Sequence, residues 1–243
     1  MEKARRPDTP FWVDRAKVDR DRLKLDTEES HHLLHVHRAG PGAPFQAVDG
    51  EGSLYECVLE SVDRRSAVGK ILERRIGVGE LKHPIHLLVG LPDWGAVEQV
   101  VGLAVPLGVS AVDFALCERS GNRAIGSQRL VRLGRIARAG LKQSRRTRLP
   151  ELRSSGSLHE ALEAIPTGKR LVADPDGEIW DRAVGNDIEV SVIVAVGPPG
   201  GFTGAERAQL SEMEFQPISL GPNRLSTETA ALCLLSLARN SLL

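Results

Sequence analysis

A chain of 243 residues, 41% hydrophobic and 26% charged, is long enough for one large domain or two small ones and has an ordinary globular composition. Its 32 basic and 32 acidic residues cancel, which argues against nucleic-acid recognition by bulk charge and excludes a disordered polyelectrolyte. The chain lacks an apolar run of roughly 18 residues, Met1–Asp8 lacks the apolar core of a secretory signal, and Cys57, Cys117 and Cys233 form no CxxC pair, so the expectation is a cytoplasmic protein with no membrane span, disulfide framework or zinc site.

Residues 1–75 read as short strands and turns, a small and mostly β domain. Arg22–Leu25 is a strand candidate, and Thr27–His37 a short helix with Leu33, Leu34 and Val36 as its apolar positions. The run Ala39-Gly40-Pro41-Gly42 stops that helix. Pro44–Val48 leads into the turn signal Asp49-Gly50, and strands over Leu54–Val62 and Ala67–Leu72 follow. Residues 76–84, with Gly77, Gly79 and Pro84, read as a linker.

From residue 85 onward strands and helices alternate. Ile85–Leu91 is continuously apolar, as a parallel strand buried on both faces should be. Ala96–Leu107 is helical and ends or kinks at Pro106. Val109–Leu116 is a second strand. A basic helix follows, then a shorter helix over Leu158–Ile165 and a strand over Leu171–Ala173 that ends in Asp174-Pro175-Asp176-Gly177. Val190–Val196 is the clearest strand of the chain. Glu206–Met213 is helical, Pro217–Leu220 is a short strand, and Glu228–Arg239 is a closing helix. This alternation predicts an α/β domain with a mainly parallel sheet.

The zero net charge hides an asymmetry. Between Arg119 and Arg153 eleven basic residues face one acid, Glu151, a local excess of +10 that the remainder balances with −10. At about 100° per residue, Leu130, Leu133, Ile136, Ala137 and Leu141 share one side of a helix. Arg132, Arg135, Arg138, Lys142, Arg145 and Arg146 gather on the other. A solvated face usually mixes both signs, whereas this one reads as a surface for RNA or another polyanion, which guanidinium forks suit.

Two loops follow strands in the second half, where open α/β sheets bind ligands. The first is Gly197-Pro198-Pro199-Gly200-Gly201-Phe202, followed by the capping-box pattern Thr203-Gly204-Ala205-Glu206. The second is Gly221-Pro222-Asn223-Arg224-Leu225-Ser226-Thr227-Glu228, in which Ser226 or Thr227 can cap the closing helix. Glycines admit a ligand close to the backbone. Neither loop is a Walker phosphate loop or a GxGxxG dinucleotide loop.

Together the two loops resemble the signature of the ribosomal RNA small-subunit methyltransferase E family, a SPOUT-class family of trefoil-knotted methyltransferases. Its pattern is Gly-Pro-Glu-Gly-Gly-Phe, then Leu-Gly-Pro-Arg-Ile-Leu-Arg-Thr-Glu-Thr-Ala. This chain has Gly197–Phe202 and Leu220–Ala230 at those places, in family order. Further similar stretches are His31–Arg38, Glu118-Arg119-Ser120 and Lys142–Arg146, so the likeness covers nearly the whole chain.

The resemblance implies an N-terminal PUA-like β-barrel over residues 1–75 that helps hold RNA, the linker 76–84, and a SPOUT domain with a deep trefoil knot over 85–243. It implies S-adenosyl-L-methionine as cofactor, bound by Gly197, Pro198, Gly200, Gly201, Leu220, Gly221, Pro222, Leu225 and Thr227. It implies methylation of N3 of a uridine in small-subunit (16S) ribosomal RNA by a homodimer. Arg224 is a candidate for stabilising an anionic base and Glu228 for accepting a proton. RNA contacts are expected from Arg119, Arg123, Arg132, Arg135, Arg138, Lys142, Arg145 and Arg146.

Several positions depart from the family pattern. Pro199 stands in place of Glu, Asn223 and Ser226 in place of Arg, Pro92-Asp93-Trp94-Gly95 in place of a Lys-bearing turn, and Val105-Pro106 in place of Thr-Glu. They leave a second expectation open, a non-catalytic or retargeted RNA-binding homologue acting in ribosome assembly. His31 and His35 have i,i+4 spacing but no fitting carboxylate or thiol, so no metal is expected. The three cysteines read as core residues. Trp12 is expected to dock the N-terminal arm, and Trp94 to pack or to stack on a base.

Overall fold

The computed structural model describes residues 7–63, 66–121, 124–180 and 190–243. The chain divides into two compact units, one made of residues up to Glu80 together with Arg138–Leu149, the other of Leu81–Ala137 and Pro150–Leu243. The first division falls between Glu80 and Leu81. Grouping of Arg138–Leu149 with the first unit is a feature that no composition shift in the sequence announces.

The first unit is a six-stranded mixed sheet in the order β1-β4-β5-β6-β3-β2. Its strands are β1 (Phe11–Trp12), β2 (Val18–Asp19), β3 (Arg22–Lys24), β4 (Pro44–Val48), β5 (Ser53–Asp63) and β6 (Ser66–Ile76). Strands β1 and β4 pair in parallel, and the other pairs are antiparallel. Helix α1 (Thr27–His31), capped by Asp26, continues as a π-helical turn over His32–Val36. Leu33 is fully buried, but Val36, expected on the apolar side, is 59% exposed, because the wider π turn rotates it off the core face. Phe11, Phe45, Tyr55 and Leu33 fill the core of this unit. Trp12 is buried beside Gly50, where a Cβ would stand 2.5 Å from its ring, and Gly50 takes φ +76° in the predicted turn.

The second unit is a wholly parallel sheet in the order β12-β10-β11-β7-β8-β9. Its strands are β7 (Ile85–Gly90), β8 (Val109–Ala115), β9 (Glu151–Ser155), β10 (Lys169–Ile179), β11 (Val192–Val196) and β12 (Gln216–Ser219). Its helices are α2 (Trp94–Ala104), α3 (Ser127–Ser144), α4 (Leu158–Glu163), α5 (Gly204–Glu212) and α6 (Thr227–Asn240); α3 runs on into the first unit from Arg138. Every residue of β11 is buried, as an all-apolar central strand requires.

Strand β10 departs from expectation. It does not stop at Ala173 but continues to Ile179, with a register break between Ala173 and Glu178 that absorbs the Asp-Pro-Asp-Gly turn. Gly177 permits this, since a Cβ there would lie 2.5 Å from the Ile218 backbone nitrogen. Among the described residues, no helix is long and apolar enough to cross a membrane. Cys57 and Cys117 are buried, whereas Cys233, expected in the core, is exposed on α6.

Candidate functional site

The carboxyl ends of β10, β11 and β12 lie side by side, and a cavity of about 410 Å³ opens beyond them. Both Gly-Pro loops line it. All nine residues that the resemblance assigned to a cofactor are there: Gly197, Pro198, Gly200, Gly201, Leu220, Gly221, Pro222, Leu225 and Thr227.

The loop after β11 is seated by close approach. Gly90 ends β7 directly beneath it, and a Cβ on Gly90 would stand 2.4 Å from Pro198 Cδ. The Gly201 N–H closes a turn on the Pro198 carbonyl at 2.7 Å. Glu206 then anchors the loop from below. One of its oxygens takes the Thr203 N–H and the other the Glu118 N–H, both at 2.8 Å, and the Thr203 side chain completes the capping box of α5. The two loops are tied together by the Thr227 hydroxyl, which donates to the Gly197 carbonyl at 3.0 Å. Ser226 caps α6 instead. The sequence left these two candidates for the cap open, and the geometry gives them different tasks.

Gly201 (φ +71°) and Gly221 (φ +107°) both hold left-handed backbone, and a Cβ on either would meet no atom of the protein within 4 Å. Both line the cavity, so the absent side chains are space left open for a ligand. Ala173, Asp174 and Pro175, from the break in β10, form a third wall, and Arg207 pairs with Asp174 at 3.5 Å. No sequence motif assigned these three residues to a site. The Asp-Pro-Asp-Gly turn after a strand was their only signal.

A second cavity of about 400 Å³ adjoins the first and shares Pro199, Arg224, Leu225 and Thr227 with it. Pro92, Asp93, Ala96, Ser226 and Glu228 complete its lining. Arg224, exposed, donates to the Pro199 carbonyl at 3.1 Å and so stands where the two cavities meet. Glu228 lines the second cavity only. Burial, followed by the charge and hydrogen bond of Glu206, pushes the nearby Cys117 thiol up to about 12, so it stays protonated at neutral pH and is no nucleophile.

The predicted basic surface is more heavily engaged than its pattern suggested. Arg119 packs over Gly200 and donates to its carbonyl at 2.9 Å, a prop for the loop after β11. Arg123 lies outside the described residues. Arg132 binds Glu98, Arg138 stacks 4.1 Å above the Trp12 ring, and Lys142 binds Glu29. Arg145 donates to the Asp8 carbonyl. Arg146 lies past the end of α3 and is not on its solvent face. Its side chain is 3% exposed and paired with Glu80 at 2.7 Å. Arg135 is exposed and has no ion-pair partner among the described residues. Arg129 lies 4.7 Å over the ring of Trp94, so this ring face already carries a cation. The rings of His31 and His35 lie 4.7 Å apart.

A parallel α/β unit with paired Gly-Pro loops at its strand ends, in a chain that also carries a PUA-like half-barrel, defines the SPOUT class of fold. Residues 79–239 match the model of the RNA methyltransferase domain, and residues 25–72 that of the RNA methyltransferase PUA domain. The chain belongs to the RNA methyltransferase domain family. The ribosomal RNA small subunit methyltransferase E of Mycobacterium bovis is 29% identical over 232 residues, covering 91% of this chain and 87% of that protein. The protein of the same name from Bacillus subtilis is 27% identical over 225 residues, covering 88% of each. A crystal structure of a ribosomal RNA small subunit methyltransferase E from Neisseria gonorrhoeae bound to S-adenosyl methionine superposes with a TM-score of 0.79 at 26% identity, covering 94% of this chain and 95% of that one.

Proposed function

We propose that this protein is an S-adenosylmethionine-dependent methyltransferase of small-subunit ribosomal RNA, acting at N3 of a uridine. One observation carries the reading. The two Gly-Pro loops, far apart in sequence, are tied by the Thr227–Gly197 hydrogen bond into a single cavity that all nine expected cofactor residues line.

The cavity fits the cofactor. Its volume of about 410 Å³ suits a small organic ligand. Asp174, Asn223, Arg224 and the loop backbone supply polar groups along an otherwise apolar lining of Leu, Pro and Ala, as an adenine and an amino-acid end require. Gly201 and Gly221 leave the room. S-adenosylmethionine, when bound, supplies a methyl group already activated on a sulfonium. The chain's part is then to hold and align, which supplies much of the rate.

Gly197, Gly200, Gly201 and Gly221 admit the cofactor close to the backbone, and Leu220, Leu225, Pro198 and Pro222 exclude water around it. Arg224, between the two cavities, stabilises the anion left when a uridine gives up its N3 proton. Glu228, which lines the second cavity, would accept that proton. The first unit would hold RNA, two copies would work as a homodimer, and the cytoplasm would be the place of work.

A second reading has a specific observation in its favour. Three departures from the family pattern, Asp93, Pro199 and Ser226, line the second cavity, and Pro199 and Asn223 line the first, whose glycines are intact. A retargeted acceptor with a conserved cofactor cradle would look this way, as would a non-catalytic RNA-binding homologue.

Calorimetric titration with S-adenosylmethionine tests the cradle. The wild type is expected to bind saturably, and Gly221→Val to bind at least about tenfold more weakly because its side chain fills the cavity. Absence of binding by the wild type, with or without small-subunit ribosomal RNA, would overturn the enzymatic reading.

A further inference from the structure

The first unit carries a cavity of about 230 Å³ lined by Arg15, Val18, Arg20, Tyr55, Ile71 and Arg74. Two of the arginines come from neighbouring turns, the short helical turn after β1 and the turn between β2 and β3, and the third, far from them in sequence, from the end of β6. From this convergence we propose that the cavity is a phosphate-binding subsite that seats one backbone phosphate of the RNA substrate. The inference rests on the reading of the protein as an RNA-binding enzyme, and it adds a contact point in residues that no charge pattern in the sequence singled out.

Charge is the first argument. Other arginines of the same sheet are neutralised. Arg22 forks onto Glu60 at 2.7 and 3.0 Å, and Arg75 lies 3.8 Å from Glu56. Arg15, Arg20 and Arg74 have no ion-pair partner among the described residues. Asp49 holds the Tyr55 hydroxyl from behind and is not part of the cavity lining. Its oxygens accept the Glu51 N–H at 2.8 Å, the Ser53 N–H at 3.0 Å and the Tyr55 hydroxyl at 2.9 Å. Asp21 flanks Arg20 but leans toward Arg22, at 3.8 Å. Three guanidinium groups around a cavity whose lining includes no carboxylate suit a phosphodiester, because each fork donates paired hydrogen bonds.

Preorganisation is the second. Arg15 donates to the Tyr55 hydroxyl at 3.1 Å. Arg74 donates to Ser53 Oγ through Nε and Nη2, at 3.2 and 2.9 Å, and its guanidinium lies 5.8 Å from the Tyr55 ring centre. Tyr55 is itself buried and held by Asp49. Two of the three cations are therefore held by neutral groups, which leaves their charge available to an anion and reduces the entropy lost on binding.

Strain is the third. Arg20 sits in the two-residue turn between β2 and β3 with φ +29°, a region that favours glycine or asparagine. An arginine there costs stability, and strained residues of this kind cluster at ligand contacts.

The test uses the full chain and three proteins: wild type, Arg20→Gly, and Arg15→Gln with Arg74→Gln. Affinity for small-subunit ribosomal RNA is measured across a salt series, with melting temperature and S-adenosylmethionine affinity as controls. Arg20→Gly should melt a few degrees higher, since glycine relieves the turn, yet bind RNA roughly tenfold more weakly. Its plot of log affinity against log salt should flatten by about 0.7–0.9, the loss of one phosphate contact. The double variant should flatten it further, and S-adenosylmethionine affinity should not move in either.

If the wild type binds RNA and both variants match it in affinity and slope, the subsite is overturned and the function stands. If the wild type fails to bind RNA, the functional reading falls and the subsite with it. A third arm adds inorganic phosphate alone. Phosphate binding lost in the variants while RNA binding is unchanged would assign the cavity to a free anion and overturn the RNA assignment.

Discussion

Gly90 supports the site without touching a ligand. It closes β7 under Pro198, where a Cβ would stand 2.4 Å from the proline ring and 2.5 Å from its nitrogen. Gly90→Ala must push the loop after β11 upward or bend β7. A cost of about 1–3 kcal/mol follows from overpacking at a rigid contact, seen as a lower melting temperature together with weaker S-adenosylmethionine binding. An unchanged melting temperature would show that the loop yields freely. The sequence marks the glycines of the loops as turn residues, because Gly-Pro clusters punctuate any chain. It gives no sign of Gly90, whose partner is more than a hundred residues away. The tasks of Thr227 and Glu206 were half legible for the same reason. Capping is local and can be read from a motif, but the Thr227–Gly197 and Glu206–Glu118 bonds join distant segments.

Helix α3 separates what a helical pattern reveals from what it hides. Its 3.6-residue periodicity correctly places Leu133, Ala137 and Leu141 in the core. The charge of its other face is also real, but the acids that meet it come from elsewhere: Glu98 on α2 for Arg132, Glu29 on α1 for Lys142 and Glu80 for Arg146. These residues therefore divide by function. Arg135→Glu should weaken ribosomal RNA binding by roughly threefold to tenfold and reduce its salt dependence without changing the melting temperature. Arg146→Ala should instead destabilise by about 3 kcal/mol or more, because it leaves Glu80 without its cation. The reverse outcome, a stable Arg146→Ala with poor RNA binding, would return Arg146 to the RNA surface. Short elements were the least legible. Strands β1 and β2 have two residues each, and the edge strand β9 reads Glu-Leu-Arg-Ser-Ser, too polar and too brief for an alternation signal. The Asp-Pro-Asp-Gly turn masks the continuation of β10, since nothing local says that a strand resumes after it.

At the scale of the whole chain, the neutral total conceals a division of labour among its arginines. Some neutralise acids inside each unit, one props the loop after β11, and three line the cavity of the first unit without an ion-pair partner among the described residues. The α/β class and the order of elements followed from apolar runs spaced by helices, which tertiary contacts rarely override. The cradle followed from two loop motifs and a resemblance. Its third wall and the arginine cavity of the first unit did not, because the wall meets loops more than twenty residues further on and the cavity joins Arg15 and Arg20 to Arg74 on β6. The central claim is methyl transfer from S-adenosylmethionine to a uridine of small-subunit ribosomal RNA. Small ribosomal subunits reconstituted with an unmodified RNA transcript provide the direct test, incubated with the protein and S-adenosylmethionine, digested to nucleosides and read by mass spectrometry. N3-methyluridine appearing at a single site, and only when the protein and the cofactor are both present, is the predicted result. Unmethylated uridine throughout, from a protein that binds both cofactor and RNA, would contradict it.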